Sequence, residues 1–364
     1  MNFDYSEEQQ LLADSVRRLL AKDYDFEARK KIVASEEGWS SKVWAQLAEL
    51  GLTGLPLSTD YGGFGGGAVD LMGVMEAFGD ALVVEPYLPT VLSSRILSKS
   101  KKAPILSAVV EGKVRLAFAH TEAGARYRLG HVNATAKKAA SGWTIDGEKK
   151  GVSGAPMADK LVVSARVENA ADGGVALFLV ERNSPEVKIE PFRALDETRA
   201  ADISFKGARA EKLEGGLALI EEATDFGTAL ICAEAVGAMK FACDTTLEYL
   251  KTRKQFGVPI GTFQALQHRI VDMFISYEQA RSMACLACSK MDSAEDEKDR
   301  QRSVSAAKIK IADNARHISQ ESVQLHGGMG MTEELKVSHT FRRLTVLIDQ
   351  FGGADHHLER FASL

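Results

Sequence analysis

The chain has 364 residues, 45% hydrophobic and 26% charged, the balance of a globular protein with two to three domains. Lys and Arg number 45 against 50 Asp and Glu, a net charge of −5. That argues against a nucleic-acid binder, because duplex binding calls for a concentrated basic excess. No uninterrupted apolar run approaches the roughly 18–20 residues of a membrane span. The best stretch, Leu71 to Leu92, is broken by Glu76, Asp80, Glu85 and two prolines. The opening MNFDYSEEQQ is acidic and has no apolar signal-peptide segment. A cytoplasmic enzyme is expected, with a core large enough to need no disulfide and no metal.

The first 112 residues read as helical. Ser6 and Gln9 form a capping box, and Leu11, Leu12, Val16, Leu19 and Leu20 share one helical face. A second helix runs from Trp44 to Leu50 and stops at Gly51. The segment Y-G-G-F-G-G-G, Tyr61 to Gly67, has the wrong spacing for a dinucleotide fingerprint and no strand before it. It reads as a flexible turn near a pocket wall, with a phosphate cradle as the alternative.

Near residue 113 the period changes. Arg115–His120, Gly142–Ile145, Lys160–Ala165 and Ala176–Val180 are short and mostly rich in β-branched or aromatic residues. Turn signals separate them: S-G at 141–142, D-G at 146–147 and D-G-G at 172–174. An antiparallel β domain over 113–214 is predicted. From 215 to 364 the helical pattern returns, over 217–252, 263–291, 299–326 and 332–346, as an up-and-down four-helix bundle. The acidic segment 292–300 reads as a solvated turn. The fold class is α+β: helices, then a β domain, then a helical bundle. Of the four cysteines, Cys285 and Cys288 form C-L-A-C inside a helical pattern without the second pair a zinc ribbon needs. They read as buried, inert thiols.

Two blocks point to chemistry. In Y-L-K-T-R-K-Q-F-G-V-P-I-G-T-F-Q, Arg253 closes a long helix and a loop leads to Gln264. Arg offers a planar fork for phosphate oxygens, and a helix-capping Arg on a solvated face is the bland alternative. In Q-L-H-G-G-M-G-M-T, Gln324 to Thr332, bare backbone at Gly327 and Gly328 allows a ligand to come close. A mere C-cap is the alternative there.

Together these blocks resemble the acyl-CoA dehydrogenase family of flavoproteins. The resemblance spans the chain through T-R-K-Q-F-G, F-Q-x-x-Q-H and Q-L-H-G-G-M-G-M-T. More narrowly, the M-x-F-D-x-S-E-E-Q start, A-F-A-H-T-E and the closing F-G-x-A-D-H-H-L are similar to the small subunit of bacterial pimeloyl-CoA dehydrogenases. The resemblance implies FAD as cofactor and an acyl-CoA thioester as substrate, of dicarboxylyl or medium chain length. It implies that Arg253 and Phe256 hold the diphosphate region of a neighbouring subunit's FAD. Gln264 would touch the same cofactor, and Gln324, Gly327 and Gly328 would line its adenosine end. Thr121 and Ser153 would face the flavin of the chain's own FAD. Relatives are usually tetramers, and electron-transfer flavoprotein is the implied acceptor.

The departures are informative. The family's proton-abstracting Glu sits where this chain has Gly352, and the alternative helical position is Gly227. A positioned base is worth roughly 10²–10⁴ in rate. Asp349 and Asp355 flank the vacant position; Asp355 is a weak substitute and reads rather as a helix cap. His356 and His357 read as structural or exposed. The flavin-covering Trp is Gly151, and T-E-P-G-A-G-S-D has become T-E-A-G-A-R-Y-R. Arg126 and Arg128 there would meet CoA phosphates or a distal carboxylate, or simply decorate a surface loop. Intact partner-facing motifs beside degraded own-site motifs imply one half of a homo- or heterotetramer with a larger dehydrogenase subunit. The alternatives are a non-catalytic scaffold that completes a partner's FAD site, and a nucleic-acid-binding member, which the charge disfavours.

Overall fold

A computed structural model describes residues 5–100, 102–139, 142–168 and 174–364. The S-G turn at 141–142 and the D-G-G turn at 172–174 lie partly outside the described residues, as does the start of the MNFDYSEEQQ segment. Contacts divide the chain into two compact units that do not follow chain order. One gathers 1–29, 67–83 and 228–364; the other gathers 30–66 and 84–227.

The second unit is built on a seven-stranded sheet. Its strands are β1 (Leu116–Ala119), β2 (Thr135–Ala139), β3 (Gly142–Ser153), β4 (Lys160–Val167), β5 (Val175–Glu181), β6 (Val187–Arg193) and β7 (Arg199–Gly216). Pairing runs β1-β4-β2-β3-β7-β5, β5 also pairs β4, and β6 flanks β7. The ladder therefore closes into a ring, which removes most exposed edges. The expected purely antiparallel sheet is corrected: β1 and β2 both pair with β4 in parallel. The interior is lined by small residues, Ala117, Ala119, Ala136, Ala165 and Ala201, around Ile145, Phe178 and Phe205.

Its helices are α3 (Ser41–Glu49), α5 (Tyr87–Lys99) and α6 (Ala103–Val110), with part of α2 (Phe26–Ala34); Ser40 caps α3, its hydroxyl accepting from the Val43 amide. The glycine-rich segment is not a loose turn. The amides of Phe64, Gly65 and Gly66 donate back to the carbonyls of Gly54, Leu57 and Leu55 at 2.7–3.2 Å.

The first unit is helical. It holds α1 (Glu7–Asp23), α4 (Ala68–Ala81), α8 (Gln264–Ser293), α9 (Glu297–His326), α10 (Lys336–Asp349) and α11 (Ala354–Ser363), with most of α7 (Leu217–Thr252). The capping box at Ser6 and Gln9 is present. The four expected C-terminal helices are joined by a fifth, α11. Helices α4 and α7 cross in backbone contact: a Cβ on Gly79 would lie 1.8 Å from the Glu234 carbonyl oxygen, and one on Gly237 1.8 Å from that of Glu76. Only glycine permits that approach.

Helix α7 is the one described helix long and apolar enough to cross a bilayer, but 89% of its apolar window is buried within the molecule. The acidic segment at 292–300 is partly structural. Asp292 belongs to α8, and its carboxylate accepts from the Ala68 and Val69 amides at 2.8 and 2.9 Å, satisfying orphan donors of α4. Cys232, Cys243 and Cys288 are buried free thiols, and burial pushes Cys232 and Cys243 up to about 12. Cys285 is only half-buried.

Candidate active site

The helical unit brings the two predicted cofactor blocks to neighbouring helix ends. At the end of α7 the Arg253 amide donates to the Tyr249 carbonyl at 2.8 Å, and the Arg253 carbonyl accepts from Ile260 at 2.8 Å. A two-residue hairpin lies between, β8 (Lys254–Gln255) against β9 (Val258–Pro259). At its tip Phe256 is held at φ +54° and is 92% exposed. Gln264 opens α8 and is also exposed.

On the other side, α9 ends at His326, and the Gly327 amide donates back to the Gln324 carbonyl. A Cβ on Gly327 or Gly328 would meet nothing within 4 Å, so that backbone is open to a ligand. The His326 and Tyr249 rings lie 4.4 Å apart, tilted by 31°. They help line a cavity of about 520 Å³ with Thr252, Met329, Phe241 and Lys336.

The β unit holds the residues predicted to serve the chain's own flavin. Thr121 follows β1, its carbonyl accepting from the Lys150 amide at 2.8 Å, and Ser153 ends β3; both side chains are exposed. Between them the β3–β7 register slips at Lys149/Val152. Gly151 sits in that bulge at φ +61° with open space above it and donates to Asp202 at 3.0 Å. Arg126 and Arg128 are exposed. Arg126 adopts φ +50°, and Arg128 donates to the Gly124 carbonyl of its own loop at 3.3 Å.

Beneath Thr121 lies a buried network the sequence reading missed. Lys149, fully buried, donates to Glu122 at 2.7 Å, Ser164 at 2.9 Å and the His120 carbonyl at 3.1 Å. Ser164 Oγ is 2.8 Å from His120 Nδ1. The Asn133 and Ala134 amides also donate to the Glu122 carboxylate.

Burial pulls Lys149 down to about 8. Burial, aided by Lys149, takes His120 down to about 3, so this ring is neutral. Burial would raise Glu122, but Lys149 and the two amides outweigh it and hold the carboxyl below its usual range. A Lys at an inward-facing position of β3, with a Glu just after β1, was the available signal.

Gly352, where the resemblance places the missing base, is tightly packed. Gly352 is buried at φ +121°, and a Cβ there would lie 2.6 Å from His356 Cδ2 and 2.8 Å from His357 Nε2. His357 is 2% exposed; its Nε2 donates to the Phe351 carbonyl at 3.2 Å, and Nδ1 lies 3.3 Å from Ser305 Oγ. Since the carbonyl only accepts, Nε2 carries the proton and Nδ1 accepts. Burial first, then Lys308, drives His357 down to about 3. His356 stacks edge-on against it, with ring centroids 5.2 Å apart.

Asp349 ends α10 and is exposed. The expected cap at Asp355 is corrected: Gly353 holds the N-cap position, and Asp355 lies exposed in the first turn of α11. Gly227 is buried within α7.

Three family models match the chain: acyl-CoA dehydrogenase N-terminal domain at residues 6–97, middle domain at 117–208 and C-terminal domain at 214–357. Acyl-CoA dehydrogenase FadE12 of Mycobacterium tuberculosis is 30% identical over 357 residues, covering 93% of this chain and 90% of the relative. A solved Tcur3481–Tcur3483 steroid ACAD variant is 26% identical, with TM-score 0.89 over 98% of this chain and 97% of that one. PigA with FAD and proline is also 26% identical, with TM-score 0.89 over 100% and 98%. The helical, β and helical segments follow in the order of these three models, and the chain belongs to the acyl-CoA dehydrogenase family.

Proposed function

We propose that this chain is a subunit of an FAD-dependent enzyme that introduces a double bond between the α and β carbons of an acyl-CoA thioester. Bound FAD would supply the hydride acceptor. Arg253 would hold its diphosphate, with Phe256 and Gln264 beside it, and Gln324, Gly327 and Gly328 would meet the adenosine end. The residues fit such a ligand: a guanidinium, two amide side chains and an exposed ring stand beside bare glycine backbone.

The observation that carries the reading is the contrast within one unit. The partner-facing set is intact and solvent-exposed, while the expected base position, Gly352, carries no carboxylate and is crowded by His356 and His357. Proton abstraction is therefore assigned to another chain, a larger dehydrogenase subunit. The solved steroid relative carries the paired designation Tcur3481-Tcur3483.

Exposed apolar side chains support assembly. On α8, Val271, Phe274 and Ile275 share one face at helical spacing, with Phe274 57% exposed, and Met331 is 74% exposed. Such a surface marks an association site, and a tetramer with two-fold symmetry is the proposed form. The pimeloyl-like motifs suggest a dicarboxylyl or medium-chain thioester, and electron-transfer flavoprotein is the proposed acceptor. Free thiols suit a reducing compartment, and a cytoplasmic setting is proposed. The second reading, a scaffold that only completes its partner's FAD site, is favoured by Gly151, which leaves open space where the resemblance places a flavin-covering Trp.

Co-expression with the larger subunit tests both. One flavin per unlike pair, with turnover lost when the partner's base is removed, is the scaffold outcome. Two flavins per pair is the outcome for a chain that binds its own. Robust turnover by this chain alone would overturn the partner-supplied base.

A further inference from the structure

The Arg253 hairpin and the Gln324–Gly328 turn each lack a core of their own. Residues 251–258 are all exposed, and the strands of the hairpin are two residues long. The turn after α9 begins with two glycines at which a Cβ would meet nothing within 4 Å. A short glycine-rich segment has little intrinsic rigidity, yet a dinucleotide spanning both segments requires a constant separation between them.

A ring contact stands between the two, Tyr249 against His326. Tyr249 is the residue whose carbonyl holds the Arg253 amide at 2.8 Å, four residues earlier on α7. His326 is the last residue before Gly327, and its own carbon skeleton backs the turn: a Cβ on Gly330 would lie 3.0 Å from His326 Cβ. The two rings face each other at 4.4 Å and 31°. The imidazole cannot swing freely, because Nδ1 donates to the Ser322 carbonyl at 2.7 Å. His326 is buried, and burial lowers its pKa, so the ring stays neutral and suited to stacking. Both residues also border the cavity of about 520 Å³.

We infer that the stacked Tyr249–His326 pair is the positioning joint of the cofactor site, holding the Arg253 hairpin and the Gly327–Gly328 turn at the separation one ligand needs. The inference rests on the cofactor reading proposed above. Neither ring is assigned contact with the ligand; each acts through the residue it carries.

The test is a double-mutant cycle on the assembled protein, with FAD itself as probe and flavin fluorescence as readout. Tyr249→Leu should weaken FAD about two- to twelvefold, the range for loss of a ring–ring contact. In an Arg253→Ala background the same change should add less than about twofold, because the residue being positioned is already gone. Tyr249→Phe, which keeps the ring, should match the wild type. Full FAD affinity in Tyr249→Leu, or losses that multiply with Arg253→Ala, would overturn the joint. If Arg253→Ala alone leaves FAD affinity unchanged, the cofactor reading fails and the joint with it. If Tyr249→Leu does not assemble, His326→Gln probes the same pair from α9, and the same outcomes decide.

Discussion

Gly352→Ala isolates the steric claim about the base position, because it adds one methyl group and no chemistry. The backbone there has φ +121°, where an L-residue costs about 1–3 kcal/mol. The new Cβ would stand 2.6 Å from His356 Cδ2 and 2.8 Å from His357 Nε2. Relief requires His357 to move, breaking its bonds to Phe351 and Ser305, each worth about 0.5–1.5 kcal/mol. The sum is about 2–6 kcal/mol, or a fall of roughly 3–8 °C in Tm for a chain of this size. Thermal unfolding followed by circular dichroism, at matched concentration and without ligand, measures it. Gly352→Glu should lose at least as much and should not acquire turnover, although it supplies the carboxylate that the resemblance leads one to expect there. An alanine variant melting within about 1 °C of the wild type would refute the reasoning, as would a glutamate variant that dehydrogenates acyl-CoA unaided.

Three further outcomes follow from the same geometry. His120 and His357 have folded-state values near 3 against about 6.5 unfolded, so the unfolded chain binds more protons between those values. Stability should therefore fall as pH drops from about 6.5 toward 3, and His357→Gln should flatten that slope in acid titrations read by fluorescence. Lys149→Met leaves the Glu122 carboxylate buried beside a missing partner and should cost about 3–5 kcal/mol; adding Glu122→Gln should recover part of it, and equal stability of the two variants in urea would count against a coupled pair. Phe274→Asp with Ile275→Asp places charge on the exposed apolar face of α8; sedimentation at micromolar concentration should show smaller species, and an unchanged assembly would remove this face from the interface.

The sheet shows where sequence reading stops. The four strands that were legible have apolar runs backed by turn signals. β6 was missed because Pro191 interrupts it, which is tolerable only because β6 pairs with β7 alone. β2, Thr-Ala-Lys-Lys-Ala, has little strand propensity and is held by partners on both sides, β3 and β4. β7 runs for 18 residues through register shifts that blur its alternation. The parallel pairing of β1 and β2 with β4 depends on long-range partners that no local pattern specifies.

By itself the sequence determined the order of helical and β segments, the long C-terminal helices and the two blocks that carry Arg253 and Gly327. Those features rest on local periodicity, capping and backbone chemistry, which short stretches of chain encode. The tertiary structure alone decided that Asp292 caps α4, that Lys149 is buried against Glu122, and that Tyr249 meets His326. It also decided how tightly Gly352 is packed, since two imidazoles from the next helix crowd the space a side chain would need. Each is a contact between residues whose proximity depends on how elements pack, and packing is set by the whole core rather than by any segment of it.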